Sequence, residues 1–212
     1  MSKPLLALYL LICTATSLAA SATPEAQQAK VQQCETCHSE EHNANAVAAS
    51  VAPVLNGMSD WYIEQQLTNF QMGYRTNQGP DATAIQQAHN QDAINGEAIS
   101  LIADYYDELE HRFSDTTLAE GTSDLANGEA LFEDQCAACH TSAFGRFLSD
   151  GPEITSLEAP YILEQLKALQ AEQRKFQEET KHHRKMVKRL KEMSTQDLID
   201  IVGYISKNAQ SL

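Results

Sequence analysis

The residues best equipped for chemistry are four of the chain's five cysteines. They stand in two pentapeptides, Cys34-Glu35-Thr36-Cys37-His38 and Cys136-Ala137-Ala138-Cys139-His140, set 102 residues apart. Three chemistries use a Cys-x-x-Cys pair. A structural zinc site takes four thiolate or imidazole ligands, usually as two pairs. One ion would then have to join two distant parts of this chain. A thioredoxin-type redox motif belongs to a βαβ unit, and strand-like alternation is nearly absent here. Covalent haem attachment uses both thiols as thioether anchors and requires a His directly after the second. Both pentapeptides supply that His. We therefore expect two covalently bound haem c groups, each with its iron. Cys34, Cys37, Cys136 and Cys139 are the anchors, and His38 and His140 are the proximal iron ligands.

The elements that must position these groups recur at nearly the same interval. Pro53 to Phe70, "PVLNGMSDWYIEQQLTNF", answers Pro152 to Leu169, "PEITSLEAPYILEQLKAL". Each reads as Pro, a short turn and an amphipathic helix. Ile94 to Leu109 answers Met193 to Asn208, each a capped helix with apolar residues at helical spacing, and Asn95 and Ser194 are the candidate N-caps. Each half thus spells a short helix, the pentapeptide, a loop with Pro, a helix, a variable loop and a closing helix. The expected fold is all-α, in two small tandem domains. We place a first domain over residues 23–112, a linker over 113–124 and a second domain over 125–212. So short a repeat makes a thin core by itself. A large apolar haem at the centre of each would supply what is missing.

Residues 1–22 read as a secretory signal peptide, with Lys3, an apolar run from Leu5 to Leu18, and Ala20-Ser21-Ala22 before the expected cut. Cys13 lies in that run, so export leaves no cysteine outside the two motifs. The run is short for a membrane span, which needs roughly 20 residues. The expected location is the periplasm. The net charge is −14 and unevenly spread. From Glu25 to Asp124 there are sixteen acidic residues against Lys30, Arg75 and Arg112. Such an acidic body argues against a nucleic-acid partner, since phosphate binding needs a basic face. The one dense basic run is Lys181 to Lys191, "KHHRKMVKRLK". It is either a solvated helix face or a docking patch for an acidic partner.

Taken together, "QAKVQQCETCH", "ANGEALFEDQCAACH", "WYIEQQLTNFQMGYRTN" and the closing helices with "IADYY" and "IVGYI" resemble the two-haem class I c-type cytochromes, in particular the cytochrome c4 family. The resemblance covers nearly all of the mature chain and implies two cytochrome c-like domains, each wrapped around its haem. It implies that Pro53 and Pro152 help orient the proximal His, and that Tyr105 and Tyr204 pack across the first helix of their half. Gly128 and Phe132 are the partners of Tyr204. It also implies an axial Met ahead of the last helix. Met186, seven residues before Met193, fits that place, with His182 and His183 as competitors and a core-filling role as the bland reading. The first half has no Met there. His89 is the strong ligand present, and Met58, Met72 or an open sixth position are the alternatives. A bis-His haem would sit at lower potential than a His/Met one, which would bias the electron towards the second half.

The expected function is electron carriage between respiratory-chain or periplasmic redox partners, by an electron-transfer protein rather than an enzyme. The resemblance suggests a terminal oxidase, a quinol-oxidising complex or a periplasmic dehydrogenase as partner, with the chain a monomer and at most loosely membrane-associated. The alternative is a haem enzyme, or the electron-transfer subunit of an oxidoreductase such as one acting on sulfur compounds. His42 and His111 show no pairing in the sequence and read as surface residues.

Overall fold

The computed structural model of the chain describes residues 24–39, 52–76, 82–90, 94, 96–113, 116–119, 121–177 and 179–212. The signal stretch, His42 and Asn95 lie outside them. Among the described residues there are ten α-helices and no strand. Helix α1 (Pro24–His38) ends on the first pentapeptide, and α2 (Asp60–Gln71), α3 (Ala82–His89) and α4 (Gly96–Asp107) complete the first half. Helices α5 (Leu125–Gln135) and α6 (Ala137–His140) carry the second pentapeptide. They are followed by α7 (Ala143–Ser149), α8 (Ala159–Gln170), α9 (Lys181–Lys191) and α10 (Thr195–Asn208). No described helix is long and apolar enough to cross a membrane.

The repeat read in the sequence is visible in the packing. Helix α4 lies against α1 and α2, as α10 lies against α5 and α8. The α5–α10 crossing is close, and Gly128 allows it. A Cβ at that position would sit 2.1 Å from the backbone oxygen of Asp200 and 3.0 Å from the Tyr204 Cβ. Phe132, fully buried, then meets Tyr204 with ring centres 5.6 Å apart. Asp200 is buried beneath the crossing and is satisfied there. It accepts from the Asp124 backbone N–H (2.8 Å), Asn127 Nδ2 (2.8 Å) and Gln196 Nε2 (2.8 Å). The expected cap Ser194 makes a capping box with Asp197, and Asp124, not singled out in the sequence, caps α5 by accepting from Ala126 and Asn127.

The first half departs from this in one aromatic. Tyr105, expected to pack across α1, borders a groove with Lys30 and Val31 of α1 and is 39% exposed, while its neighbour Tyr106 is fully buried. Lys30 holds in α1 the place that Phe132 holds in α5. Tyr106 also fixes the turn ahead of α2: its carbonyl accepts from Gly57 N–H at 2.8 Å. Gly57 has φ +71°, and a Cβ there would lie 2.4 Å from His111 Cα, so both conformation and space require glycine.

The two halves are not separate cores. Met58, Tyr62, Ile102 and Tyr106 belong to one continuous apolar cluster with Phe132, Tyr161, Ile162 and Ile201. The connecting segment also packs down on the second half: Thr116 Oγ1 accepts from Ala159 N–H, and Thr122 O accepts from Gln196 Nε2. His111, read in the sequence as a surface residue, is half-buried: its Nε2 lies 3.7 Å from Glu153 Oε1, beyond hydrogen-bond reach, and Glu153 Oε2 lies 3.2 Å from Arg146. Sequence spacing gave no hint of a pair so far apart along the chain.

Candidate functional site

Each pentapeptide sits where one helix ends, so the chain turns and presents its His to a loop. His38 Nδ1 lies 2.7 Å from Pro53 O, and His140 Nδ1 lies 2.9 Å from Pro152 O. A carbonyl only accepts, so both Nδ1 atoms carry the proton and donate it. Each Nε2 is left with its lone pair. This is how a metal-binding imidazole is usually held: the rear nitrogen donates to a backbone oxygen, fixing tautomer and orientation. Burial pulls the His140 pKa below its ordinary value, against the raising effect of the Pro152 bond and with Arg146 adding to the lowering. The ring is neutral at neutral pH. The prolines therefore act through their carbonyls, one after each pentapeptide.

In the first half a second imidazole completes a pair. His89, at the end of α3, donates from Nδ1 to Ile85 O at 2.7 Å, so it too keeps its lone pair on Nε2. Its ring centre lies 5.9 Å from that of His38, with the planes 79° apart. Together the two rings would be able to hold a metal ion that takes imidazole nitrogen. His89 is held in place by stacking on Phe70, 4.2 Å between centres. Burial lowers its pKa first, partly offset by the Ile85 bond, and Arg75 lowers it further. Of the alternatives, Met72 caps α2 and is 56% exposed, and Met58 is buried in the apolar cluster beside Tyr62.

In the second half the candidates separate by tautomer. His183 is buried and stacked on Phe176 at 3.8 Å, but its Nδ1 accepts the Thr180 backbone N–H at 3.3 Å. A neutral imidazole that accepts at Nδ1 carries its proton on Nε2, which removes the lone pair an iron would need. Met186, one turn further along α9, is half-buried against the small cluster of Leu169, Leu190 and Leu198. His182 is half-buried on the same helix. The whole basic run is this helix: Lys181, Arg184, Lys185, Lys188 and Lys191 are exposed, and Arg189 turns in to donate to Gln135 O at 2.8 Å, one residue before Cys136.

The four thiols stand free, with no disulfide. Burial pushes Cys34 and Cys136 up to about 11, so both are protonated at neutral pH. Among the described residues no three of His, Cys, Asp and Glu cluster as a metal site would require. Helix α7 was not foreseen. It presents Phe144 and Phe147 to solvent directly after His140, at 71% and 78% exposure. Its sequence, "AFGRFLS", is too short for periodicity to distinguish from a loop.

Residues 125–209 match the family model described as cytochrome c. The chain as a whole has the tandem, all-helical fold of the cytochromes c4. Reduced recombinant cytochrome c4 from Pseudomonas stutzeri is similar at 23% identity, covering 88% of this chain and 98% of that one, with a TM-score of 0.64. Cytochrome c4 from Acidithiobacillus ferrooxidans is similar at 20% identity, covering 82% and 98%, with a TM-score of 0.58. A thiosulfate dehydrogenase from Marichromatium purpuratum is similar at 19% identity and a TM-score of 0.64, covering 86% of this chain but 39% of that longer one. The chain matches no curated protein.

Proposed function

We propose that the chain is an exported carrier of two covalently bound haems, with unlike iron ligands in its two halves. Cys34 and Cys37 anchor one haem, and Cys136 and Cys139 the other. His38 and His140 are the proximal ligands, His89 is distal in the first half and Met186 is distal in the second. Bound haem supplies one-electron chemistry at its iron. The chain's own residues do the rest. Pro53 O and Pro152 O hold the proximal imidazoles in the ligating tautomer, Ile85 O and Phe70 do the same for His89, and Leu169, Leu190 and Leu198 keep Met186 in an apolar wall.

The observation that carries this reading is the His38–His89 pair, two lone-pair nitrogens on rings 5.9 Å apart, both already fixed from behind. A thioether favours the ferrous state more than a second imidazole does, so the second haem lies at the higher potential. The basic face of α9, joined by Arg189 to the residue before Cys136, suits an acidic partner at that haem. The test is the near-infrared spectrum of the oxidised holoprotein. One Met–iron band per two haems is expected. Two such bands, or none, refute the assignment.

The match to a thiosulfate dehydrogenase favours a second reading, an electron-transfer subunit or domain of a larger oxidoreductase. Rapid binding of carbon monoxide or cyanide by the isolated chain would favour it, since a six-coordinate carrier resists both.

A further inference from the structure

One buried carboxylate of the second half reaches the peptide that holds the first half's proximal histidine. Glu158, only 3% exposed, accepts from the Val54 backbone N–H with both oxygens, each at 3.3 Å. The Val54 N–H and the Pro53 carbonyl are the two ends of one peptide group. That carbonyl accepts from His38 Nδ1 at 2.7 Å. A continuous line of bonds therefore runs from the carboxylate, across the junction of the halves, through a single amide to the rear of the His38 ring. Glu158 stands at a helix start and turns away from it. It is the N-cap of α8, yet its side chain makes no cap bond. Thr116 of the connecting segment does that work instead, accepting from Ala159 N–H at 2.9 Å. The positive end of α8 also favours the ionised carboxylate.

The matching peptide of the second half has no such support. Among the described residues no carboxylate accepts from the Glu153 N–H that follows Pro152, and the His140 bond to Pro152 O is longer, at 2.9 Å. Ser59, which answers Glu158 in the repeat, precedes α2 and carries no charge. The junction is fixed by other crossed bonds as well: Arg75 donates to Tyr161 Oη, and Arg174 to Tyr62 Oη at 3.1 Å. A hydrogen bond to a charged acceptor is roughly twice as strong as a neutral one, and linked bonds polarise one another. An anion behind the Val54 N–H makes the Pro53 oxygen a stronger acceptor. The His38 Nδ1 proton is then held more tightly, and Nε2 becomes the better donor to a metal.

We propose that Glu158 is a positioning residue for the haem of the opposite half: acting through the Pro53–Val54 peptide, it strengthens the His38 hydrogen bond and lowers the potential of the first haem. The inference rests on the two-haem reading above. A more electron-rich imidazole favours ferric iron, so the carboxylate adds to the difference in potential that the unlike distal ligands set. Because Glu158 belongs to the second half, this part of the bias exists only while the halves are docked.

The experiment uses the full holoprotein and follows both potentials by spectroelectrochemistry, with covalent haem content measured on the same samples. The near-infrared Met–iron band assigns one potential to the second haem. E158Q is expected to keep two haems, to shift the first iron towards ferrous by about fivefold, or about 40 mV for one electron, and to leave the second unchanged. E158D, which keeps the charge, is expected to return more than half of that shift. In proton NMR of the ferrous protein the His38 Nδ1–H resonance is expected downfield of that of His140, and E158Q is expected to move it upfield alone. No shift in either potential, an equal shift in both, or an E158D protein that stays with E158Q overturns the proposal. So does a wild-type His38 resonance upfield of that of His140, a result that stands even where neither variant loads haem. Wild-type chain without two covalent haems would sink the underlying reading instead, and the haem count separates the two failures.

Discussion

Replacing Gly128 by Ala tests the packing that holds the second site together. The added Cβ would meet the Asp200 carbonyl oxygen at 2.1 Å and its carbon at 2.6 Å, both backbone atoms of α10. Neither can rotate away as a side chain would, so α5 and α10 must separate by about 1 Å to restore ordinary contact. That loosens Phe132 against Tyr204 and strains the bonds that Asp200 makes to Asp124 and Asn127. Overpacking of this kind costs about 1–3 kcal/mol, and more when backbone must move. We expect a loss of about 3 kcal/mol, partly offset by the better helix propensity of Ala. Because the two halves share one core, the unfolding unit is the whole chain, for which 1 kcal/mol is about 2–4 °C in Tm, so the midpoint should fall by about 6–12 °C. The assay is thermal unfolding of the holoprotein followed by circular dichroism. Gly96→Ala is the control: nothing lies within 4 Å of that Cβ, and we expect a change of less than about 0.5 kcal/mol. A Gly128→Ala protein as stable as the control would refute the reasoning.

Three further outcomes follow from particular contacts. His89→Ala should convert the first haem to one that binds cyanide rapidly, whereas His183→Ala should leave both haem spectra unchanged and lower stability by about 1 kcal/mol through its lost cap. The Asp200 carboxyl is pushed up by burial, but its bonds from Asn127, Asp124 and Gln196 outweigh that and hold it below its ordinary value. Its stabilisation is therefore complete above about pH 4 and is lost as pH falls through the lowered folded value. Denaturant titrations should show that wild type loses more stability between pH 5 and pH 2, on the order of those limits, than Asp200→Asn does. Tyr204→Ala should cost about 3 kcal/mol in the second half, by removing a ring from the α5–α10 crossing.

What the sequence made legible was local. The pentapeptides named their own chemistry, the prolines after them marked the turn that holds each His, and Ser194 announced a helix start. Position along the repeat also indicated His89, because the segment before α4 offered no Met. What stayed hidden depends on contacts far apart in the chain. The approach of His111 to Glu153 spans the two halves, and so does the crossing of Arg75 and Arg174, which nothing in "GYRTN" and "EQRKF" signals. Tyr105 and Tyr106 are adjacent, and spacing did not say which is buried. Spacing favoured Met186 over His182 and His183, but it could not show that His183 Nδ1 receives the Thr180 backbone N–H.

The central claim is that two haems are joined to this chain by thioether bonds at Cys34, Cys37, Cys136 and Cys139. The intact mass of the exported protein, taken after full denaturation and acid extraction of free haem, tests it directly. The account predicts a polypeptide carrying two haem adducts, falling to one in a chain with Cys34→Ala and Cys37→Ala. A mass equal to the bare polypeptide would contradict it.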